Sequence, residues 1–161
     1  MRWSFLTSID EMKVNEYARG TATFPEDTWF FRDHFPGFPV VPGVIMLEAL
    51  AQLSGKLIGW SVKRVRGDWP FPIISMANNV KFRRFIRPGE LVVLETRVQH
   101  LREDSCLVRV KASVDGKMTT QAEETFVFNA VKLDSEAEAQ RVERLESAEL
   151  ARLWAGYSHE Q

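Results

Sequence analysis

Hydrophobic and polar positions follow two different periods along this chain, and the periods divide it into strands and helices. Residues 107–114 alternate apolar with polar side chains, which is typical of a strand with one buried face. Asp115-Gly116 is a strong signal for a two-residue hairpin turn, and residues 117–128 return as the next strand. Four more strands are predicted at residues 3–12, 15–24, 73–86 and 91–101.

A nearly continuous apolar stretch at residues 44–60 predicts one long helix that is buried on most sides. Pro42 stands where such a helix can begin, because the first helical turn does not need the N–H that proline lacks. Glu48 and Gln52 are four residues apart, so they share one face of the helix and can hydrogen bond. Several antiparallel strands around one buried helix predict an α+β domain.

The loop before this helix is stiff and carries a histidine, His34. Three prolines fix the backbone angle φ along it, and two glycines supply permissive backbone between them. These residues are Pro36, Gly37, Pro39, Pro42 and Gly43. A loop held in one shape suits a catalytic side chain, so His34 is a candidate.

Glu48 is the only acidic residue between Asp33 and Asp68. A lone carboxylate in an apolar helix costs free energy unless it has a partner or keeps its proton. The combination of His34 in a stiff loop and Glu48 in an apolar helix therefore suggests an acid/base pair.

The last 29 residues have an acidic, amphipathic pattern that the rest of the chain lacks, and this pattern predicts a separate helical tail. Ser135 to Glu138 can form a capping box at its start. An apolar stripe at helical spacing follows at Val142, Leu145, Leu150, Leu153 and Trp154. We expect one domain at residues 1–132 and an acidic amphipathic tail at 133–161. The tail should pack on its own domain or on a neighbouring subunit, with a partner-docking helix as the weaker alternative.

Composition narrows the function classes. The 161 residues include one cysteine and three scattered histidines, so neither an internal disulfide nor metal-ligand spacing is present. No phosphate-cradling motif, signal peptide or run long enough to span a membrane is visible. The net charge of −1 argues against nucleic-acid binding. These features predict a cytoplasmic protein without a metal or a membrane span.

Charge is unevenly distributed despite the small net value. Between Lys56 and Arg87 there are eight basic residues and one acid, Asp68, so this segment carries +7. Such a zone on a nearly neutral protein suggests one acidic partner, but solvated strand ends and loop residues are the better explanation of the charge distribution taken alone.

Two interior residues need separate comment. Glu124 falls in phase with the apolar positions of its strand, so we expect it to pair at a strand edge, with a second buried carboxylate as the alternative. Cys106 is expected to be a small buried apolar residue.

Residues 34–52 resemble the signature of a known family. The matching residues are His34-Phe35-Pro36-Gly37, Pro39, Pro42-Gly43-Val44, Glu48-Ala49 and Gln52. The signature is that of the β-hydroxyacyl-acyl-carrier-protein dehydratases of bacterial fatty-acid synthesis, which have the hotdog fold. Residues 80–90 and 114–117 resemble later segments of that family, and the resemblance covers roughly residues 9–128. It implies an antiparallel sheet wrapped around the long central helix.

The resemblance also implies roles for individual residues. His34 would be the base, Glu48 the acid that protonates the departing hydroxyl, and the Gly43 N–H the donor to the thioester oxyanion. Gln52 and Pro42 would support them. The apolar tunnel for the acyl chain would be lined by Phe35, Val44, Leu47 and Phe82.

The implied partner is acyl carrier protein, an acidic protein whose phosphopantetheine arm carries the substrate, so no separate cofactor is expected. Its basic landing zone would comprise Lys63, Arg64, Arg66, Lys81, Arg83, Arg84 and Arg87. The family's sites are shared across a homodimer, with His34 from one subunit and Glu48 from the other. A trimer of dimers stays open as the larger assembly.

Three alternatives keep the same fold. A thioesterase could use Glu48, but it would leave His34 without a role. A non-catalytic carrier-binding subunit would tolerate the loss of either residue, yet both are present. In isomerising relatives the helix acid is usually aspartate, so Glu48 favours simple dehydration. Phe38 departs from the polar or basic residue often found there, which leaves the identity of the acyl chain open.

Overall fold

A computed structural model describes residues 3–157 of the chain. The elements in chain order are β1 (Ser8–Lys13), β2 (Tyr17–Thr23), α1 (Gly43–Arg66), β3 (Pro72–Phe82), β4 (Leu91–Leu101), β5 (Ser105–Val114), β6 (Lys117–Phe128) and α2 (Glu136–Leu153). Residues 1–2 of the predicted domain and residues 158–161 of the predicted tail lie outside the described residues.

The six strands form one antiparallel sheet in the order β1-β2-β4-β5-β6-β3. Helix α1 contacts all six strands, so the sheet wraps around it. This is the hotdog arrangement that the resemblance implies, and the α+β prediction is confirmed.

The core lies between α1 and the inward face of the sheet. Along α1 the fully buried Met46, Leu50, Leu53 and Leu57 recur at three- and four-residue steps, which places them on one stripe. The predicted alternation in β5 is confirmed, because Val108, Val110 and Ala112 are buried.

Helix α1 begins immediately after Pro42, as predicted, but it continues to Arg66, six residues beyond the predicted end. Lys63, Arg64 and Arg66 occupy its last turn, where basic side chains interact favourably with the helix dipole. The helix stops at Gly67, whose φ of 92° favours glycine and whose N–H donates to the carbonyl of Lys63.

The first strand is shorter than predicted, because β1 starts at Ser8 rather than at residue 3. Residues before it run beside α1 instead. The backbone N–H of Phe5 donates to Oε1 of Gln52 at 2.9 Å, so the donor that a strand ladder would use is bound by a helix side chain. This contact brings the start of the chain to the face of α1 that carries Glu48.

Helix α2 packs against α1 within the same chain. Half of the predicted capping box is present: Ser135 accepts a hydrogen bond from the N–H of Glu138, whereas the Glu138 carboxylate accepts from the N–H of Asp134. Leu150 and Leu153 join the core, Trp154 contacts Trp60 edge-on, and Lys56 forms an ion pair with Glu146. The predicted stripe is only partly buried, however.

Leu145 of the predicted stripe is 61% exposed, because it lies at the rim of a cavity instead of on the contact with α1. Val142 is half-buried. The predicted stripe therefore lies on two surfaces. Its C-terminal part packs against the core, and Leu145 forms part of a cavity wall.

Strand β3 is an edge strand with large exposed apolar side chains. It pairs only with β6, so its other side presents unpaired backbone groups. Ile74, Met76 and Phe82 are 38%, 53% and 54% exposed. Within residues 3–157 neither helix is long and apolar enough to cross a membrane.

Candidate active site

The loop between β2 and α1 holds His34 through several backbone hydrogen bonds. The N–H of His34 donates to the carbonyl of Phe30, and its own carbonyl accepts from the N–H of Val40, at 3.0 and 2.9 Å. Farther along, the N–H of Val41 donates to the carbonyl of Ile86 at 2.9 Å. The predicted stiff loop is therefore closed on itself and tied to the segment after β3.

The imidazole of His34 is fixed in one orientation. Its Nδ1 lies 2.9 Å from the carbonyl oxygen of Val40, and the ring stacks on Phe35 with centroids 4.2 Å apart. A carbonyl oxygen can only accept, so Nδ1 must carry the proton. In the neutral ring Nε2 then has a free lone pair, which is the form a general base needs.

Glu48 is half-buried on α1 and is held by two donors. Nε1 of Trp3 and Nε2 of Gln52 both donate to its Oε1, each at 3.0 Å. Gln52 is itself oriented by the N–H of Phe5, so its amide can present only its NH₂ group to Glu48. Within residues 3–157 nothing bonds to Oε2, which leaves this oxygen for a ligand.

The beginning of α1 is arranged for a developing negative charge. Pro42 provides no side-chain cap and the first turn contains no acidic residue, so no carboxylate competes for the first N–H groups. An added Cβ on Gly43 would lie 2.7 Å from Cε1 of Phe82, so the ring of Phe82 would have to move. The Gly43 N–H can therefore serve the oxyanion role that the resemblance assigns to it.

A cavity of about 580 Å³ opens beside Glu48 and Gln52. Aromatic and aliphatic side chains from α1, β3, β6, α2 and the segments before β1 and β3 form most of its wall. They are Trp3, Leu6, Ala51, Trp69, Phe71, Ile74, Phe126, Leu145 and Leu153. Sequence reasoning missed this set, because its members are scattered from residue 3 to residue 153.

The tunnel residues predicted from the resemblance do not line that cavity. Phe35, Val44 and Phe82 are more than half exposed, and Leu47 packs partly against the core. Val44 and Leu47 lie in the first turns of α1 and Phe82 lies against Gly43 there, whereas Phe35 stacks on His34. A tunnel built from them needs a second surface to close it.

His34 and Glu48 do not meet within one chain. His34 bonds to its own loop and Glu48 to Trp3 and Gln52. Phe35, beside His34, lines a separate open groove of about 890 Å³ together with Trp29 and Arg87. Within one subunit, Glu48 lines a cavity to which His34 does not contribute.

The residues of the predicted basic zone form two groups within one chain. Lys63, Arg64 and Arg66 lie in the last turn of α1. About 30 Å of helix separates them from its first residue at 1.5 Å per residue. Lys63 pairs with Glu143, and Arg66 donates to two backbone carbonyls.

The second group comprises Lys81, Arg83, Arg84 and Arg87 and adjoins the loop of His34. Arg87 lies over the ring of Phe38 at 4.3 Å, and Phe38 contacts Phe85 edge-on. Arg83 donates to Gln121, while Lys81 and Arg84 are exposed. Arg87 therefore lies beside the His34 loop, whereas Arg83 is directed to β6.

Glu124 is the second buried carboxylate that the sequence left open. It is 0% exposed, and neither of its oxygens has a hydrogen-bond partner within residues 3–157. The expected strand-edge pairing is wrong, because β6 lies between β5 and β3 and Glu124 points with Ala122 and Phe126 into the core. Burial, and after it the charge of Glu48, raises the pKa of Glu124 to about 8.

Comparison with known proteins gives three kinds of match. A protein-family sequence model described as a FabA-like domain matches residues 4–123. The 3-hydroxyacyl-[acyl-carrier-protein] dehydratase FabZ of Clostridium acetobutylicum is 34% identical over 120 residues, which cover 74% of this chain and 83% of that protein. FabZ of Syntrophobacter fumaroxidans is 36% identical over 109 residues, covering 67% of this chain and 72% of its own length.

Solved structures share the fold at much lower identity. A chain of the dehydratase heterocomplex ApeI:P from Xenorhabdus doucetiae superposes with a TM-score of 0.64 at 13% identity, covering 86% of this chain and 88% of that one. The smu.793 protein from Streptococcus mutans, bound to acetyl CoA, superposes with a TM-score of 0.60 at 11% identity, covering 83% of this chain and 95% of that one. The resemblance seen in the motifs is confirmed, and this chain belongs to the FabA-like family of hotdog-fold proteins.

Proposed function

We propose that this chain is a 3-hydroxyacyl-[acyl-carrier-protein] dehydratase, which removes water from 3-hydroxyacyl thioesters to give trans-2-enoyl thioesters in fatty-acid synthesis. The observation that carries the proposal is the fixed imidazole of His34, with Nδ1 bonded to Val40 and Nε2 open, in a chain that also presents Glu48 on α1. Relatives named FabZ dehydratases support the reaction type. Hydrolysis of a thioester would leave the fixed imidazole without a task.

The residues divide the reaction between them. Nε2 of His34 takes the proton from the carbon next to the thioester carbonyl, while the Gly43 N–H stabilises the charge that builds on the thioester oxygen. Glu48 gives a proton to the departing hydroxyl, and water leaves. Gln52 and Trp3 fix the Glu48 carboxyl through Oε1, so Oε2 is the oxygen directed at substrate.

We place His34 and Glu48 of one site on different subunits of a homodimer. Two features support this: His34 and Glu48 have separate hydrogen-bond partners within one chain, and β3 leaves an unpaired edge with exposed Ile74, Met76 and Phe82. A second copy pairing at this edge would cover these side chains and could close the surface around Phe35 and Val44. A cytoplasmic location is proposed with it, because Cys106 is a free thiol.

The acyl chain is assigned to the cavity beside Glu48, with the exposed residues of the original tunnel prediction at its entrance. The cavity wall is mostly aromatic and aliphatic, which suits a hydrocarbon chain. The direct test of the function is turnover of 3-hydroxyacyl-carrier substrates of graded chain length by the purified protein. Absence of dehydration across the whole series would overturn the proposal.

Replacing Leu145 by tryptophan should make the enzyme select against long acyl chains. Leu145 is exposed at the rim, so an indole can fill cavity space without disturbing the core. Excluding two methylenes would cost about 1.6 kcal/mol, or about tenfold in KM for the longest substrates, with little effect on the shortest. Ala148→Trp, on the exposed face of α2, is the matched control. An equal change at every chain length would place the acyl group elsewhere.

The carrier is assigned to the basic group beside the His34 loop, comprising Lys81, Arg83, Arg84 and Arg87. Arg87 lies beside the His34 loop, and Phe82, which follows Lys81 and precedes Arg83, lies against Gly43 at the start of α1, where the thioester must lie. Lys63, Arg64 and Arg66 are left out of this zone, because they lie at the other end of the helix.

Reversing Arg84 and Arg87 to glutamate should raise KM for a carrier-bound substrate by about tenfold at low salt, because steering of an acidic partner is lost. The same pair should change KM little for a short thioester without the carrier. Arg141→Glu with Arg144→Glu makes the same charge change on the exposed side of α2 and serves as the control. Equal losses with both substrates would show that Arg84 and Arg87 support the loop rather than the carrier.

A further inference from the structure

Residues 3–6 lie outside the strands and are held on one side by helix α1. The N–H of Phe5 donates to Oε1 of Gln52 at 2.9 Å, and Nε2 of Gln52 lies 3.4 Å from the carbonyl oxygen of Trp3, to which it donates. The indole N–H of Trp3 donates in turn to Glu48. The start of the chain therefore runs along the face of α1 that carries the candidate catalytic acid.

On the other side, the same residues are held by Glu149 of helix α2. The hydroxyl of Ser4 donates to Oε1 of Glu149 at 3.1 Å. Arg152 fixes this carboxylate through two charge-assisted hydrogen bonds, in which Nε donates to Oε2 at 3.0 Å and Nη2 donates to Oε1 at 2.7 Å. The side chain of Glu149 is only 18% exposed. Glu149 is therefore a well-oriented acceptor for the Ser4 hydroxyl.

These hydrogen bonds form a continuous path from α2 to Glu48 through Ser4 and Trp3. The two residues are adjacent in the chain, so the position of one limits the position of the other. Trp3 is 55% exposed, and burial alone does not hold its indole on the carboxyl. Helix α2 lies beyond residues 4–123, the part of the chain that matches the family model. The path thus connects the candidate acid to an element outside the matched part.

We propose that Glu149 is a positioning residue for the dehydration, which holds Trp3 on the Glu48 carboxyl through its bond to Ser4. This inference rests on the proposed function, in which Glu48 protonates the departing hydroxyl. Helix α2 is then a support of the active site as well as a part of the core.

The physical reason is that proton transfer depends on where the donor oxygen lies. The hydrogen bond from Trp3 to Oε1 limits rotation of the Glu48 carboxyl and keeps Oε2 directed at substrate. A displacement of about 1 Å can lower the rate of a positioned reaction by up to about 100-fold. Because Glu48 acts on the departing hydroxyl only in the transition state, a loss of its position lowers kcat more than it raises KM.

The first test is to break the bond between Ser4 and Glu149 from either side. Ser4→Ala and Glu149→Ala should each lower kcat about tenfold, with little change in KM. Ser4→Thr keeps the hydroxyl and should retain most of the wild-type kcat. The double variant should lose no more than the weaker single variant, because both changes remove the same link. An unchanged kcat in Ser4→Ala, or a raised KM in place of a lowered kcat, would overturn the inference.

Glu143→Ala is the matched control for these variants. Glu143 is another carboxylate of α2, but it pairs with Lys63 in the last turn of α1. Its replacement removes one contact between the two helices and should leave kcat unchanged. A loss as large as that of Glu149→Ala would mean that any loosening of α2 lowers turnover, and the specific role of Glu149 would be wrong.

A second measurement separates this inference from the proposed function. Nitrogen-15 NMR of the full chain with labelled tryptophan reports the indole N–H of Trp3, which Trp3→Phe assigns, without any turnover. This resonance should move in Glu48→Gln, because its acceptor changes, and in the same direction in Ser4→Ala and Glu149→Ala. It should stay in place in Glu143→Ala.

A Trp3 resonance that is unchanged in Ser4→Ala would refute the link between α2 and Glu48. If the wild-type chain fails to dehydrate any substrate while the resonance still moves, the proposed function is wrong but the link is real.

Discussion

His34→Ala and Glu48→Gln should each lower kcat for dehydration by about 100-fold or more while leaving the fold intact. Both side chains lie at a surface or are half-buried, so neither replacement opens a cavity in the core. The large expected loss follows from the task of each group, since a positioned base and a positioned acid act on the same transition state. Circular dichroism and thermal melting would establish that the two variants fold normally.

Mixing the two inactive variants should then restore activity if each site draws on two subunits. After random exchange of equal amounts, half of the dimers are mixed, and each mixed dimer regains one site with both groups. The expected recovery is therefore about a quarter of the wild-type activity. Mixing His34→Ala with the double variant His34→Ala/Glu48→Gln is the control and should restore nothing. No recovery despite demonstrated exchange would mean that one chain supplies the whole site.

Glu124→Met should make the protein more stable at pH 9, by up to about 5 kcal/mol in the free energy of unfolding. The side chains are similar in size, and the change removes a buried carboxyl without a partner. This upper limit on the gain in unfolding free energy is the difference between the ordinary pKa of 4.5 and the pKa of about 8 in the folded chain, multiplied by about 1.4 kcal/mol per pH unit.

The sign of the pH dependence is fixed by the raised pKa. Below pH 4.5 Glu124 is protonated in both the folded and the unfolded chain, so it imposes no ionisation penalty. As the pH rises towards 8, the unfolded chain loses this proton while the folded chain keeps it, and the wild-type protein loses stability. Denaturant unfolding at pH 5 and pH 9 should therefore show a larger gain for Glu124→Met at pH 9. Glu123→Met should show no such pH-dependent gain, and an equal gain at both values would contradict the raised pKa.

The sheet was predictable where local pattern and local chemistry agree. The β5–β6 hairpin follows from alternation on both sides of Asp115-Gly116, and α1 follows from a long apolar stretch after Pro42. The start of β1 was not predictable, because the side chain of Gln52, 47 residues away, binds the N–H of Phe5. Such a contact leaves no trace in local periodicity.

The candidate site was predictable to a smaller extent. His34 and Glu48 stand out by residue type and neighbourhood, but their roles came from the family resemblance. Trp3 gave no signal as a partner of Glu48, since an aromatic residue near the start of a chain has many uses. The separation of the basic residues into two groups could not be predicted, since it depends on where the ends of α1 and β3 lie in the fold.

Glu124 shows the limit of periodicity itself. Its phase within β6 correctly indicated the inward face, yet phase cannot tell whether a buried carboxyl will find a donor. That depends on side chains of β3 and β5 that are brought together only by the sheet register. The same reasoning applies to Leu145, whose helical phase was right but whose side chain faces a cavity.

The hydrogen bond from Trp3 to Glu48 also gives this protein a built-in optical probe. The indole N–H bonds directly to the candidate catalytic carboxyl, so a change in its charge or occupancy alters the surroundings of a fluorophore. A shift in tryptophan emission on adding an acyl thioester, absent from a Trp3→Phe variant, would therefore report binding at Glu48 in real time. No chemical label is required, and the pre-steady-state kinetics of a colourless substrate become measurable by stopped flow.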